Sequence, residues 1–94
     1  MEIKKYIKRG VEVEAMQFWQ HNCMEVKNWV SGYRVGFYLD FDNGLDEPFF
    51  ILDMRGKDWV GSVGDYVVRG ADGFYVCDGE AFESDSIGFR IKVT

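Results

Sequence analysis

The run from Tyr66 to Cys77 constrains the fold more than any other part of this chain. Tyr66, Val67 and Val68 form one aromatic and β-branched segment, Phe74, Tyr75, Val76 and Cys77 form a second, and Gly70-Ala71-Asp72-Gly73 lies between them. Such side chains fit the pleated, half-buried surface of a sheet, and the glycines accept the positive φ angles of a tight reversal. The stretch therefore reads as an antiparallel hairpin. Asp65 follows Gly64 just ahead of the first strand, where a carboxylate ordinarily accepts backbone N–H groups in a turn; that role is preferred over catalysis.

The remaining elements follow from periodicity. Val11, Val13 and Ala15 alternate with Glu12, Glu14 and Met16 ahead of Gln17, Phe18 and Trp19, the period-two pattern of a strand with one buried face. Asn22 is placed as a helix N-cap in a capping box with Glu25, Val26, Trp29 and Val30 share one helical face, and Gly32 supplies the stop. A helix this short depends on packing that face. Tyr33 to Phe41 alternates again, with Val35, Phe37, Leu39 and Phe41 on one side and Arg34, Gly36, Tyr38 and Asp40 on the other. Asp42-Asn43-Gly44 has turn chemistry, Asp46, Glu47 and Pro48 lengthen the loop, and Phe49 to Met54 returns. Arg55-Gly56-Lys57-Asp58 makes a further turn, Trp59 and Val60 a short strand, Gly79 to Phe82 a helical turn, and Phe89 to Val93 a last strand. The expected fold is α+β: one short helix packed on a twisted, mainly antiparallel sheet of about five to seven strands, with a partly closed barrel left open as a variant.

A chain of 94 residues makes a single domain, 1–94. At this size only about 60–65% of the unfolded surface is buried, so the large aromatic side chains are needed to build a core. The net charge of −5 argues against nucleic acid as a direct partner. Lys4, Lys5, Lys8 and Arg9 open the chain and read as a solubilising, frayed end, whereas Asp40, Asp42, Asp46, Glu47 and Asp53 gather in the middle. No segment approaches the roughly 20 apolar residues of a membrane span and no apolar signal core opens the chain, which gives a cytoplasmic expectation with no membrane partner. Cys23 and Cys77 fit no metal-ligand spacing and are expected as free thiols.

Several motifs bear on a possible site. Asp40, Asp42 and Asn43 ahead of Gly44 resemble a calcium loop only superficially, because Leu39 and Phe41 occupy positions where oxygen ligands are required. His21, the one histidine, has no nucleophile motif around it and suits a capping or surface role. Gly61-Ser62-Val63-Gly64 lacks the lysine and the strand-to-helix context of a phosphate loop and reads as a turn. No catalytic residue, metal or cofactor is therefore expected. Arg69 is expected to pair with Asp72 or Asp65 beside the turn. The alternative is that Arg69 joins Trp59 and Tyr75 in a stacking, anion-binding pocket.

The chain resembles a family of small, uncharacterised tailed-bacteriophage proteins. The likeness rests on Val13, Glu14, Ala15, Met16, Gln17 and Phe18, and on Gly64, Asp65, Tyr66, Val67, Val68, Arg69, Gly70, Gly73, Phe74, Tyr75, Cys77 and Phe82. Val63 stands where the family pattern has proline, no glutamate precedes Phe74-Tyr75, and the ending after Phe82 differs. The resemblance implies a phage or prophage accessory protein and transfers no activity. Two functions are expected ahead of a third, an uncharacterised enzyme. The first is non-enzymatic binding and inhibition of a host protein, for instance a defence protein, with Asp40, Asp42, Asp46 and Glu47 as partner-binding residues. The second is sequestration of a small molecule such as a nucleotide signal by Trp59, Arg69 and Tyr75. The terminal strand also offers an edge for a homodimer.

Overall fold

The hairpin forms as expected. Gly70 pairs with Gly73, Ala71 and Asp72 make the reversal, and Gly73 takes a φ of 114°, a value that favours glycine. The computed structural model describes residues 3–8, 10–41, 47–84 and 90–92. In chain order these form β1 (Lys4–Lys8), β2 (Val11–Gln17), a 3-10 turn (Gln20–Asn22), α1 (Cys23–Ser31), β3 (Gly36–Asp40), β4 (Phe49–Met54), β5 (Lys57–Ser62), β6 (Tyr66–Gly70), β7 (Gly73–Cys77), α2 (Gly79–Ser84) and β8 (Arg90–Lys92).

The fold is α+β and its strand pairing is antiparallel. The strands are shared between two sheets, a five-stranded one in the order β7-β6-β2-β1-β8 and a three-stranded one in the order β3-β4-β5. Neither closes into a barrel among the described residues. Asp42, Asn43, Gly44, Asp46, Phe89 and Val93, named above as turn or strand residues, lie outside the described residues, as does Arg9.

The main core lies between the sheets and α1. Met16, Val67 and Phe74 come from the larger sheet and Phe18 from just after β2, Phe37, Phe50 and Leu52 from the smaller, and Cys23, Val26, Trp29 and Val30 from the helix. Phe50 stacks on Phe37 at 4.9 Å between ring centroids and lies 4.7 Å from Phe18. Its ring uses the space that glycine leaves at position 61, where an added Cβ would stand 2.2 Å from it. A second core covers the opposite face of the five-stranded sheet, with Tyr6, Val13, Ala15, Tyr66 and Val68 packed against Phe82 of α2.

Several expectations are corrected. The basic opening segment is strand β1, held between β2 and β8, because Tyr6 anchors it in the second core. Strand β2 is buried on both faces in its second half, since Val13 and Ala15 face one core while Met16 faces the other. Asn22 does stand at the helix N-terminus, but its side chain turns backwards. It accepts the Trp19 N–H at 2.8 Å and donates to the Gln17 carbonyl at 2.8 Å, fixing the 3-10 turn rather than capping α1. The left-handed residue after α1 is Arg34, with a φ of 60°, and Gly32 remains right-handed. Phe41 is exposed, although it shares the alternation of buried Phe37.

Candidate functional site

The β2 end and the β5–β6 turn, with the start of α2, form a structural joint. Its two halves lie side by side, because β2 and β6 are antiparallel neighbours with Glu14 opposite Arg69 and Gln17 opposite Tyr66. Phe18 and the β5–β6 turn exchange backbone bonds: Gly64 N–H donates to the Phe18 carbonyl and Phe18 N–H to the Asp65 carbonyl, each at 2.8 Å. Gln17 adds a side-chain bond to the Gly64 carbonyl at 3.0 Å. The Asp65 carboxylate accepts the Ser62 N–H at 2.9 Å and the Gly79 N–H at 3.3 Å, so it secures the turn and docks the start of α2. A Cβ at Gly79 would stand 2.2 Å from the Gly64 carbonyl oxygen, so only glycine allows this approach.

Tyr66 completes the joint. Its ring stacks on Phe82 at 4.1 Å and its hydroxyl donates to Glu83 at 2.7 Å. Burial, and after it this hydrogen bond, raises the Tyr66 pKa far above the ordinary tyrosine value. Burial likewise raises the pKa of Tyr6 and of Tyr75.

Arg69 forms an ion pair with a different carboxylate from the two expected. Its Nη1 donates to Glu14 Oε1 at 2.8 Å, from a residue 55 positions away in sequence. Asp65 is occupied at the turn, whereas the β2–β6 register sets Glu14 directly opposite. The guanidinium also covers the Tyr33 ring at 4.3 Å. The three residues of the alternative pocket are not assembled. Trp59 and Tyr75 lie together at 6.4 Å, but Arg69 pairs in register with Phe74, so its side chain leaves the sheet on the face opposite to that of Tyr75. A shallow cleft of ≈ 260 Å³ does adjoin Arg69, lined among others by Tyr33, Met54, Arg55 and Phe74.

Of the acidic residues expected at a contact, Asp40 ends β3 and is half-buried, Glu47 is exposed, and Asp42 and Asp46 lie outside the described residues. Asp40 belongs to a surface that sequence reasoning did not assemble. The inner face of the three-stranded sheet is covered by α1 and the larger sheet, but its outer face carries no layer among the described residues. Tyr38, Ile51 and Val60 stand in register across this outer face, with Tyr38 60% and Val60 66% exposed. The neighbouring rows are Asp40, Phe49 and Ser62 on one side and Gly36, Asp53 and Asp58 on the other. The alternation of Gly36, Tyr38 and Asp40 was visible in sequence; the register that aligns them with Ile51, Asp53, Asp58 and Val60 was not.

Among the described residues no helix is long and apolar enough to cross a membrane, and no group of three or more His, Cys, Asp or Glu residues is gathered to hold a metal. Cys23 is buried and Cys77 half-buried, and neither forms a disulfide. Comparison with protein-family models, with curated proteins and with solved structures finds no match.

Proposed function

We propose that this is a non-catalytic binding protein that covers a surface of another protein through the outer face of β3, β4 and β5. The carrying observation is the row Tyr38, Ile51 and Val60, exposed at Tyr38 and Val60 and half-buried at Ile51, flanked by Phe49 and by carboxylates. An apolar centre with a polar rim is the anatomy of a protein interface, and tyrosine is a frequent anchor there. The resemblance to tailed-phage proteins supports a phage or prophage origin. On that origin the partner is a host protein in the host cytoplasm, and the outcome is inhibition, for instance of a defence protein.

Affinity capture from bacterial lysate tests this reading when the wild type is run beside a Tyr38→Ala/Val60→Ala variant. The wild type should retain a stoichiometric host protein that the variant loses by roughly tenfold or more, as loss of an interface anchor does. Equal retention would remove the outer face as the contact.

A second reading, sequestration of a small anionic aromatic ligand, is favoured by the cleft beside Arg69 and Tyr33. It requires the ligand to compete with Glu14 for the guanidinium. A thermal shift with signalling nucleotides tests it, since ligand at about 100 times its Kd stabilises by roughly 2.7 kcal/mol.

A further inference from the structure

We infer that the partner presents lysine or arginine side chains, and that these seat over Asp53 and Asp58 beside the Tyr38 ring. The inference rests on the reading of the outer face as a protein contact, and it specifies the chemistry of what docks there. Asp53 and Asp58 are direct cross-strand partners in the β4–β5 register. Like charges in that relation destabilise a sheet, and a native sheet ordinarily places opposite charges there. In the five-stranded sheet Arg69 directly faces Glu14 at 2.8 Å, and Lys5, which stands opposite Lys92 on one side and Glu14 on the other, has a carboxylate of Glu12 diagonally near it at 3.9 Å. Among the described residues neither Asp53 nor Asp58 has an ion pair or a side-chain hydrogen bond. The nearest lysine in sequence, Lys57, covers the Trp59 ring at 4.2 Å and belongs to the inner alternation of β5.

The third position of the same row is Gly36. With no side chain there, Tyr38 leans across it: a Cβ at Gly36 would meet the Tyr38 ring at 3.2 Å and the Asp53 Cβ at 3.2 Å. The aromatic ring is thereby brought to the border of the two carboxylates. A guanidinium or ammonium group arriving here meets two acceptors and the side of an aromatic residue, while Ile51 and Val60 receive the apolar part of the partner. Charge complementarity thus selects a basic protein surface, and the net charge of −5 steers in the same direction.

The test titrates the full 15N-labelled chain with two short synthetic peptides, one alternating arginine with valine and one alternating glutamate with valine, followed by amide NMR. The basic peptide should give saturable shifts centred on Gly36, Tyr38, Ile51, Asp53, Asp58 and Val60, and the acidic peptide none. The Asp53→Asn/Asp58→Asn variant should bind the basic peptide roughly tenfold more weakly or worse. Both substitutions are near-isosteric, and the variant's own amide spectrum checks that the fold is kept. Shifts elsewhere, equal response to both peptides, unchanged affinity in the variant, or the same shifts with calcium chloride alone would overturn the inference. Peptide binding at this face without capture of a host protein would remove the proposed function and leave the surface chemistry standing. Capture that depends on Tyr38 and Val60 but ignores Asp53→Asn/Asp58→Asn would do the reverse.

Discussion

The two sheets treat their surfaces in opposite ways. The five-stranded sheet is covered by a core on each face, and its carboxylates on β2 meet cations: Glu14 holds Arg69, and Glu12 lies near Lys5, although Lys5 also faces Lys92 in register. Among the described residues the three-stranded sheet is covered on one face only, and its other face sets Asp53 against Asp58 beside an exposed Tyr38 and Val60. Ion pairs within the sheet meet the carboxylates of the first surface, whereas among the described residues the second keeps exposed apolar area and an unpaired like-charge pair. The difference separates residues that hold the fold from residues free to serve another purpose.

This contrast can be attacked from the inside of the small sheet outwards. Phe50→Ala removes the ring shared by Phe18 and Phe37 and should cost about 3–5 kcal/mol, a large share of the roughly 5–15 kcal/mol that holds such a domain, read by urea denaturation. Gly61→Ala pushes a methyl into the same ring and should cost about 1–3 kcal/mol.

In the larger sheet, Tyr66→Phe deletes the bond to Glu83 and should cost about 1 kcal/mol. It also carries a pH signature. The Tyr66 pKa is raised from 10.0 first by burial and then by the Glu83 bond, so the folded state keeps its proton after the unfolded chain has lost it. Stability is therefore intact below about pH 10 and falls as pH rises beyond it, and melting curves of Tyr66→Phe should fall less steeply over that range.

Arg69→Ala should cost less than about 1 kcal/mol, because the pair with Glu14 is partly exposed, and should leave partner capture unchanged. If it abolished capture, the division between a paired structural surface and an open binding surface would fail.

The legible parts of the fold were those with local causes. The hairpin was marked by Gly70 and Gly73, β4 by its apolar run, and α1 by Val26, Trp29 and Val30 on one face. Strand β1 was missed because its lysines mask Tyr6, and its place depends on pairing with β2, which no local pattern shows. The same limit applied to the site. Glu14 is 55 residues from Arg69, and the outer-face rows bring β3, β4 and β5 into a register that alternation alone does not set. Asp65 was read correctly as a turn acceptor because its partner at Ser62 is local; its bond to Gly79 was not foreseeable.

The most direct test of the open-surface account measures two quantities on one variant, Asp58→Asn: thermal stability and retention of the captured host protein. Removing a like charge opposite Asp53 should stabilise the free protein by about 0.2–1 kcal/mol, or about 1–8 °C in Tm for a domain of this size, while retention of the partner falls. A lower Tm, or undiminished retention, would contradict the claim that this face is kept unsatisfied for a basic partner.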